Sequence, residues 1–281
     1  MAVPPVLTRA AAPRPDAGRR MSAGARPTTA VAALAARNAR KIVRVPMVAT
    51  FALALPLMML VFMSQVFRGI ADNPAFPAGV TYIDFLTPAI VAVAVVFNGL
   101  ASGVAMATDV SSGMLDRVRS LPVRGWSVLG ARSVSDLAVN VLQIAAVVAV
   151  AAAAFDFRFR GSVAEAVGAA GVVLAMGWAF SFLFQFIGIT VRNPEATQMA
   201  GMNLLFPLTF ASSAFIPTET MPSWIQAFTE LNPLSLTSDA ARALVLGTPS
   251  GEAIVRSLVA SAVVAAVGLA LSSRAYRRAA V

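Results

Sequence analysis

The most constraining feature of this 281-residue sequence is a series of long apolar runs that contain almost no charged residue. They recur from Val45 to the C-terminus, and most are long enough to cross a hydrocarbon layer of about 30 Å as helices. Hydrophobic residues make up 58% of the chain and charged residues only 12%, about half the charged fraction of a soluble protein. The surface of such a chain must face lipid, so the sequence predicts an all-α integral membrane protein.

Six of these runs fit transmembrane helices joined by polar segments. Pro56, Pro88 and Pro207 lie inside them and predict kinks, which membrane helices tolerate. The GLASG motif at residues 99–103 offers a face for close helix packing. The fifth run, with about 19 residues, is near the minimum length for a span. The expected spans cover residues 45–67, 82–107, 134–155, 164–191, 199–217 and 254–271.

The basic residues predict how the six spans are oriented. With the N-terminus inside the cell, 17 of the 22 Lys and Arg residues fall in cytoplasmic segments and five fall outside. This asymmetry follows the positive-inside rule, so both termini are expected in the cytoplasm. It also accounts for the net charge of +9 without a nucleic-acid partner.

The N-terminal region divides into a tail and a short basic helix. Residues 1–27 are rich in Ala, Pro and Arg without an apolar period, which predicts a disordered tail. A transit peptide would look similar, but no amphipathic helix precedes residue 28. From Thr28 to Arg44 we expect a helix that lies on an anionic membrane surface. The alternative is a solvated basic face. Its basic face, at the spacing i, i+3, i+4 and i+7, consists of Arg37, Arg40, Lys41 and Arg44.

A polar, mainly basic stretch, SSGMLDRVRSLPVRGW at residues 111–126, separates the second and third spans. Ser111 or Ser112 is able to cap a helix start, and Pro122 is expected to end the helix. An apolar ridge along this short helix suits a groove in a cytosolic partner, whereas a solvated connector would not need one. The ridge consists of Met114, Leu115, Val118 and Leu121, and the other sides carry Asp116, Arg117, Arg119 and Ser120.

Residues 218–251, between the fifth and sixth spans, are too polar to cross the membrane and too apolar to float free. Trp224 suits the level of the lipid headgroups, and Asn232-Pro233 is expected to divide the segment. We expect helices at 222–230 and 236–246 that dip into the outer leaflet as a lid, with a plain surface loop as the alternative. The residues that mark this outer re-entrant segment are Pro217, Pro222, Trp224, Asn232 and Pro233.

Residue types that are absent exclude several mechanisms. The chain has no His and no Cys, which excludes a Ser–His hydrolase and a His/Cys metal site made by this chain. Its single lysine, Lys41, lies in ARKIV and not in a Gly-Lys-Ser/Thr phosphate loop, so no ATP site is expected on this chain. Asp84 and Asp136 lie near span ends, and no ionisable residue lies clearly in mid-span, which disfavours transport driven by protons or sodium.

Several neutral side chains within the expected spans are candidates for lining a path for an amphipathic substrate. They are Asn98, Asn140, Gln143, Gln185, Asn203 and Phe206. Amide side chains also form hydrogen bonds between membrane helices, and the sequence leaves both roles open.

Two long stretches carry a resemblance to a known family. TDVSSGMLDRVRSLPVRGWSVLGARSVSD, residues 108–136, resembles the loop between spans two and three of type-2 ABC exporter permeases, above all the daunorubicin-resistance subgroup. Residues 191–247 are similar to a second signature of that family, and with the six-span layout the likeness covers nearly everything after residue 28. The positions that match the loop motif are Asp109, Gly113, Asp116, Arg117, Arg119, Ser120, Leu121 and Pro122.

The resemblance implies that residues 113–122 form a coupling helix seated in a cleft of a separate ATPase subunit, which would bind ATP and Mg. It implies a second permease copy, identical or related, with a hydrophobic or amphipathic small molecule (an antibiotic, drug, polyketide or lipid) passing between the two. The basic helix would match the family's connecting helix at the inner leaflet. The transmembrane domain would cover residues 28–281 and lie in a bacterial cell membrane.

Two other functions are compatible with the residues themselves. One is a proton-driven secondary exporter, which would stop when the proton gradient is dissipated with ATP maintained. The other is a membrane scaffold subunit that transports nothing, which would show no efflux of trapped substrate from vesicles.

Overall fold

The computed structural model describes residues 46–67, 69, 76–77, 79–113 and 125–278. All regular structure in this part of the chain is helical, as the sequence predicts, with a 3₁₀ turn at Thr218–Thr220. The α-helices are, in chain order, α1 (Pro46–Val66), α2 (Tyr82–Ser111), α3 (Gly125–Phe155), α4 (Val163–Val191), α5 (Pro194–Phe210), α6 (Ser223–Leu231), α7 (Pro233–Val245) and α8 (Gly251–Arg278).

Four of the helices are long and apolar enough to cross a membrane. They are α2, α4, the part of α3 from Arg132 to Phe155, and α8 as far as Tyr276. These helices correspond to the second, third, fourth and sixth expected spans. The apolar part of α1, Leu53–Val66, is shorter, and α5 has 17 residues. A multi-pass membrane fold is therefore supported.

Helix α5 differs most from its expected span, because it covers 194–210 and not 199–217. It starts early because the Asn193 side chain accepts a hydrogen bond from the Ala196 N–H and Pro194 occupies the first turn, where no donor is needed. It ends early because residues beyond Phe210 bond elsewhere: the Ser213 N–H, for example, donates to the Ser235 hydroxyl at 3.1 Å.

The break at Asn232-Pro233 is where the sequence places it, although the second outer helix begins at 233 and not at 236. The Asn232 side chain accepts a hydrogen bond from the Leu234 N–H at 2.9 Å, and Pro233 takes the first helical position. This cap starts α7 directly after α6 ends.

Helices α2 and α4 form the buried centre, with α3, α5, α7 and α8 packed around them. Glycines allow the two central helices to approach closely. A Cβ atom on Gly103 would lie 2.5 Å from the Phe184 carbonyl oxygen, and one on Gly188 would collide with the Gly103 carbonyl. The GLASG motif therefore lies at a close helix contact, where small residues let two membrane helices pack tightly.

Several predictions concern residues outside the described ranges. They are the tail, the basic helix with Arg37, Arg40, Lys41 and Arg44, and residues 114–122 of the expected coupling helix. Of the coupling segment the structure describes only Gly113, which follows α2 with a positive φ of 67°. Glycine adopts that left-handed conformation at little cost, so it is suited to ending the helix there.

Candidate transport site

The six residues predicted to line a path fall into two groups in the structure. Asn140, Gln143 and Gln185 are buried, and Asn98 is half-buried. Asn203 and Phe206, by contrast, lie on an exposed face of α5. The two groups therefore have different surroundings.

The first group includes a direct amide contact between α2 and α3. The Asn98 amide Nδ2 donates to the Asn140 Oδ1 at 2.7 Å. Helix α4 reaches the same place through Gly177, where an added Cβ would lie 2.7 Å from the Asn140 Nδ2 and 2.9 Å from the Val95 Cβ. Three helices thus meet at the Asn98–Asn140 pair. The Asn140 amide fits against α4 because Gly177 has no side chain.

A second polar cluster lies farther along the same helices, nearer to Ser111 of α2 and Gly125 of α3. The Gln185 amide Nε2 of α4 is 3.4 Å from the hydroxyl oxygens of both Ser102 on α2 and Ser133 on α3. Asp136 lies beside Ser102 in this cluster. One oxygen each of Asp136 and Gln185 is buried without a hydrogen-bond partner among the described residues. The structure thus places Asp136, which the sequence alone puts merely near a span end, in a polar contact between three helices.

The exposed face of α5 combines aromatic and polar side chains. Met199, Asn203, Phe206 and Phe210 follow one another at steps of four, three and four residues, so they share one side of the helix. The rings of Phe206 and Phe210 are stacked, with centroids 5.8 Å apart and an angle of 7° between their planes. An amide in the middle of an apolar helix surface is costly to leave in lipid, which makes this face a candidate for contact with cargo or with another polypeptide.

The outer segment is anchored by a buried arginine that sequence reasoning missed. Arg242 of α7 donates from Nε to the Phe85 carbonyl at 3.1 Å and from Nη2 to the Ser213 carbonyl at 2.9 Å. Its Nη1 lies 2.6 Å from the Asp239 carboxylate, and its guanidinium carbon lies 3.5 Å above the Phe85 ring centroid. An arginine among small and apolar residues, in SDAARALV, was the signal available in the sequence.

The residues chosen to mark the outer segment have distinct surroundings. Asn232 is buried, and its amide Nδ2 donates to the carbonyls of Leu208 and Ala211 at 2.7 and 2.9 Å, which ties the segment to the end of α5. Trp224 is 76% exposed on α6, and its position at headgroup level stays a prediction. Pro217 is buried before the 3₁₀ turn, Pro222 is exposed at the start of α6, and Pro233 begins α7.

An ion pair lies at the base of the expected coupling segment. The Arg132 Nη1 of α3 is 2.5 Å from the Asp109 Oδ2 of α2, with side chains 21% and 34% exposed. Asp109 belongs to the motif of the resemblance, and Arg132 lies on the far side of residues 114–124. The pair therefore joins the two helices from which the coupling segment extends.

Comparison with known proteins identifies the family. Residues 29–246 match the family described as ABC-2 type transporter. The chain is 32% identical over 224 residues to the daunorubicin resistance ABC transporter permease protein DrrB1 of Streptomyces coeruleorubidus, covering 79% of this chain and 77% of that one. It is 26% identical over 232 residues to the probable doxorubicin resistance ABC transporter permease protein DrrC of Mycobacterium tuberculosis, covering 81% of each. The chain belongs to the ABC-2 type transporter family.

Proposed function

We propose that this chain is the membrane permease subunit of an ATP-driven exporter, working with an ATPase on a separate chain. The observation that carries the proposal is the family match over residues 29–246, together with relatives named as ABC drug-resistance permeases. The four long apolar helices and the absence of a phosphate-loop lysine agree with a membrane subunit whose energy comes from a partner.

The ATPase is proposed to contact residues 113–122. These residues connect α2 to α3, and the Asp109–Arg132 pair joins the two helices where the connection begins and ends. ATP and Mg would bind the ATPase, and closure of its two nucleotide sites would favour one conformation of the permeases by binding it more tightly. The basic face of Arg37, Arg40, Lys41 and Arg44 is proposed to rest on the inner leaflet, where anionic headgroups attract cations.

The cargo is proposed to be a hydrophobic or amphipathic small molecule that passes along the exposed face of α5. Asn203 supplies a hydrogen-bonding amide between apolar and aromatic side chains, a combination suited to an amphipathic ligand. A second permease copy, identical or related, would cover the rest of this face. Asn98, Asn140 and Gln185 are proposed to hold helices together, because their amides already contact neighbouring helices.

The chain is proposed to cross a bacterial cell membrane six times, with both termini in the cytoplasm. Helices α1 and α5 would supply the first and fifth crossings. The distribution of Lys and Arg supports this orientation. It places residues 113–122 on the cytoplasmic side and helices α6 and α7 on the outer side.

Affinity purification in mild detergent tests the partner. We expect an ATPase with a phosphate-binding loop to co-purify with the wild-type permease and to be lost with Arg117→Glu. The matched control is Arg256→Glu, which reverses an exposed arginine at the other end of the molecule. The absence of any ATPase with the wild type, or equal recovery with Arg117→Glu, would contradict the proposed contact.

Transport in inside-out vesicles tests the cargo face. We expect Asn203→Ala and Phe206→Ala to lower ATP-dependent uptake of a fluorescent anthracycline while the protein level stays unchanged. Val263→Ala is the control, because it truncates an exposed apolar side chain on α8. Uptake that persists without ATP and stops on dissipating the proton gradient would indicate a secondary exporter instead.

A further inference from the structure

A series of contacts between polar side chains extends from the base of the coupling segment into the centre of the membrane fold. It begins with Asp109, in the last turn of α2, and Arg132, eight residues into α3. Their side chains lie 2.5 Å apart and close the connection between the two helices at its base. The seven residues of α3 before Arg132 extend about 10 Å beyond this point, since a helix rises about 1.5 Å per residue.

The Asp109–Arg132 pair is better shielded from solvent than the exposed Arg158–Asp156 and Arg256–Glu252 pairs. Its side chains are 34% and 21% exposed, whereas those of the Arg158–Asp156 pair are 72% and 81% exposed. Fully exposed pairs are weakened by water and salt and contribute little. The more shielded pair is therefore able to hold two helix ends at a fixed separation.

The contacts continue inward on both helices. Arg132 and Asp136 are four residues apart on α3, so they lie on one side of the helix. Asp136 lies close to Ser102, which is two turns inward of Asp109 on the same side of α2. Gln185 of α4 then contacts Ser102 at 3.4 Å. The ion pair is thus the cytoplasmic end of a set of polar contacts that connects three helices.

These contacts lie beside a rigid helix crossing. Gly188, three residues after Gln185, allows α4 to touch α2 at Gly103, where even a Cβ atom would collide. Such close backbone packing leaves little room for α2 and α4 to slide past each other. The contact between α2 and α4 therefore does not absorb a displacement of α3, and the two central helices must move together in response to it.

We infer that the Asp109–Arg132 ion pair is the joint that transmits movement of the coupling segment to helices α2 and α3. The inference rests on the proposed function and assigns positioning roles to two residues that lie outside the ATPase-contacting segment. Without the pair, the segment is free to move on the ATPase while the spans stay in place. ATP hydrolysis then continues without export.

The test measures the cargo exported per ATP hydrolysed in proteoliposomes that contain the permease and its ATPase. We expect Asp109→Asn and Arg132→Gln each to lower this ratio by about tenfold, the effect of roughly 1.4 kcal/mol, while the ATPase still co-purifies and hydrolyses ATP. Arg158→Gln is the control, because it breaks an exposed pair on the outer side and is expected to leave the ratio unchanged.

A chemical tether separates transmission from loss of folding. The natural chain contains no cysteine, so Asp109→Cys/Arg132→Cys permits selective labelling of the permease before the ATPase is added. We expect the double variant to be uncoupled until a short bifunctional thiol reagent joins the two positions, and then to regain coupling. Single-cysteine variants treated with the same reagent should stay uncoupled.

The outcomes distinguish the inference from the proposed function. Normal coupling in Asp109→Asn and Arg132→Gln, or no recovery by the tether, overturns the role of the joint while leaving the permease function intact. Loss of ATPase co-purification in these variants also overturns it, because the pair would then act in docking. If the wild-type chain itself binds no ATPase, the proposed function fails first and the inference fails with it.

Discussion

Replacement of Arg242 is expected to destabilise the outer segment more than any loss of an exposed charge. Arg242→Met keeps an unbranched side chain of similar length but removes every donor. The Phe85 and Ser213 carbonyls then lose charge-assisted hydrogen bonds of 3.1 and 2.9 Å. Asp239 keeps its hydrogen bond from the Ser213 hydroxyl at 2.7 Å and is itself half-exposed. Losing the ion pair with Arg242 therefore costs Asp239 little.

The size of the effect follows from these contacts. A hydrogen bond to a charged group contributes about 1.5–3 kcal/mol, so two of them amount to about 3–6 kcal/mol. Part of this is offset, because the variant no longer buries a guanidinium away from water. We expect a net loss of about 2–4 kcal/mol in the free energy of unfolding. Arg242→Lys should lose about half as much, since a single ammonium cannot reach three acceptors in fork geometry.

Thermal unfolding in detergent, followed by the loss of the monodisperse elution peak, provides the assay. The expected decrease in Tm for Arg242→Met is roughly 5–15 °C, at about 2–4 °C per kcal/mol. Arg256→Met is the matched control, because that arginine is 57% exposed and 3.7 Å from its Glu252 partner. Equal Tm values for Arg242→Met and Arg256→Met would refute the reasoning.

Three further predictions concern helix contacts. In a double-mutant cycle on Asn98→Ala and Asn140→Ala, we expect a coupling energy of about 0.5–1.5 kcal/mol, and additive effects would contradict the hydrogen bond. Gly188→Ala should lower Tm or prevent folding because its Cβ would meet the backbone of α2, whereas Gly171→Ala, with nothing within 4 Å, should be tolerated. Asn193→Ala should cost about 1 kcal/mol by removing the cap of α5, measured by the same unfolding assay.

The residues of the outer segment illustrate which local features are readable in advance. The Asn232-Pro233 break was predictable because Pro removes a backbone donor and Asn caps the next helix, both of which act within a few residues. The early end of α5 was not predictable in this way. Ser213 lies outside the helix because its backbone N–H donates to the hydroxyl of Ser235, 22 positions later in the chain.

The candidate site also combines features that the sequence predicts with features that it does not. Asn98, Asn140, Gln185 and Asn203 look alike in the sequence, as single amides within apolar runs. Three of them contact neighbouring helices in the structure, and Asn203 is exposed. Their difference depends on how each helix is rotated about its axis, and hydropathy does not record this rotation.

The sequence by itself determined the membrane class, the apolar helices and the polar segments between them, because a lipid environment imposes length and hydropathy on each span separately. It also contained the motifs that indicate the family. Only the tertiary structure decided that Arg242 anchors the outer segment and that Asp109 meets Arg132. Each of these contacts joins residues far apart in the chain or in different helices. They form only when helix packing brings the partners to the same depth and the same side.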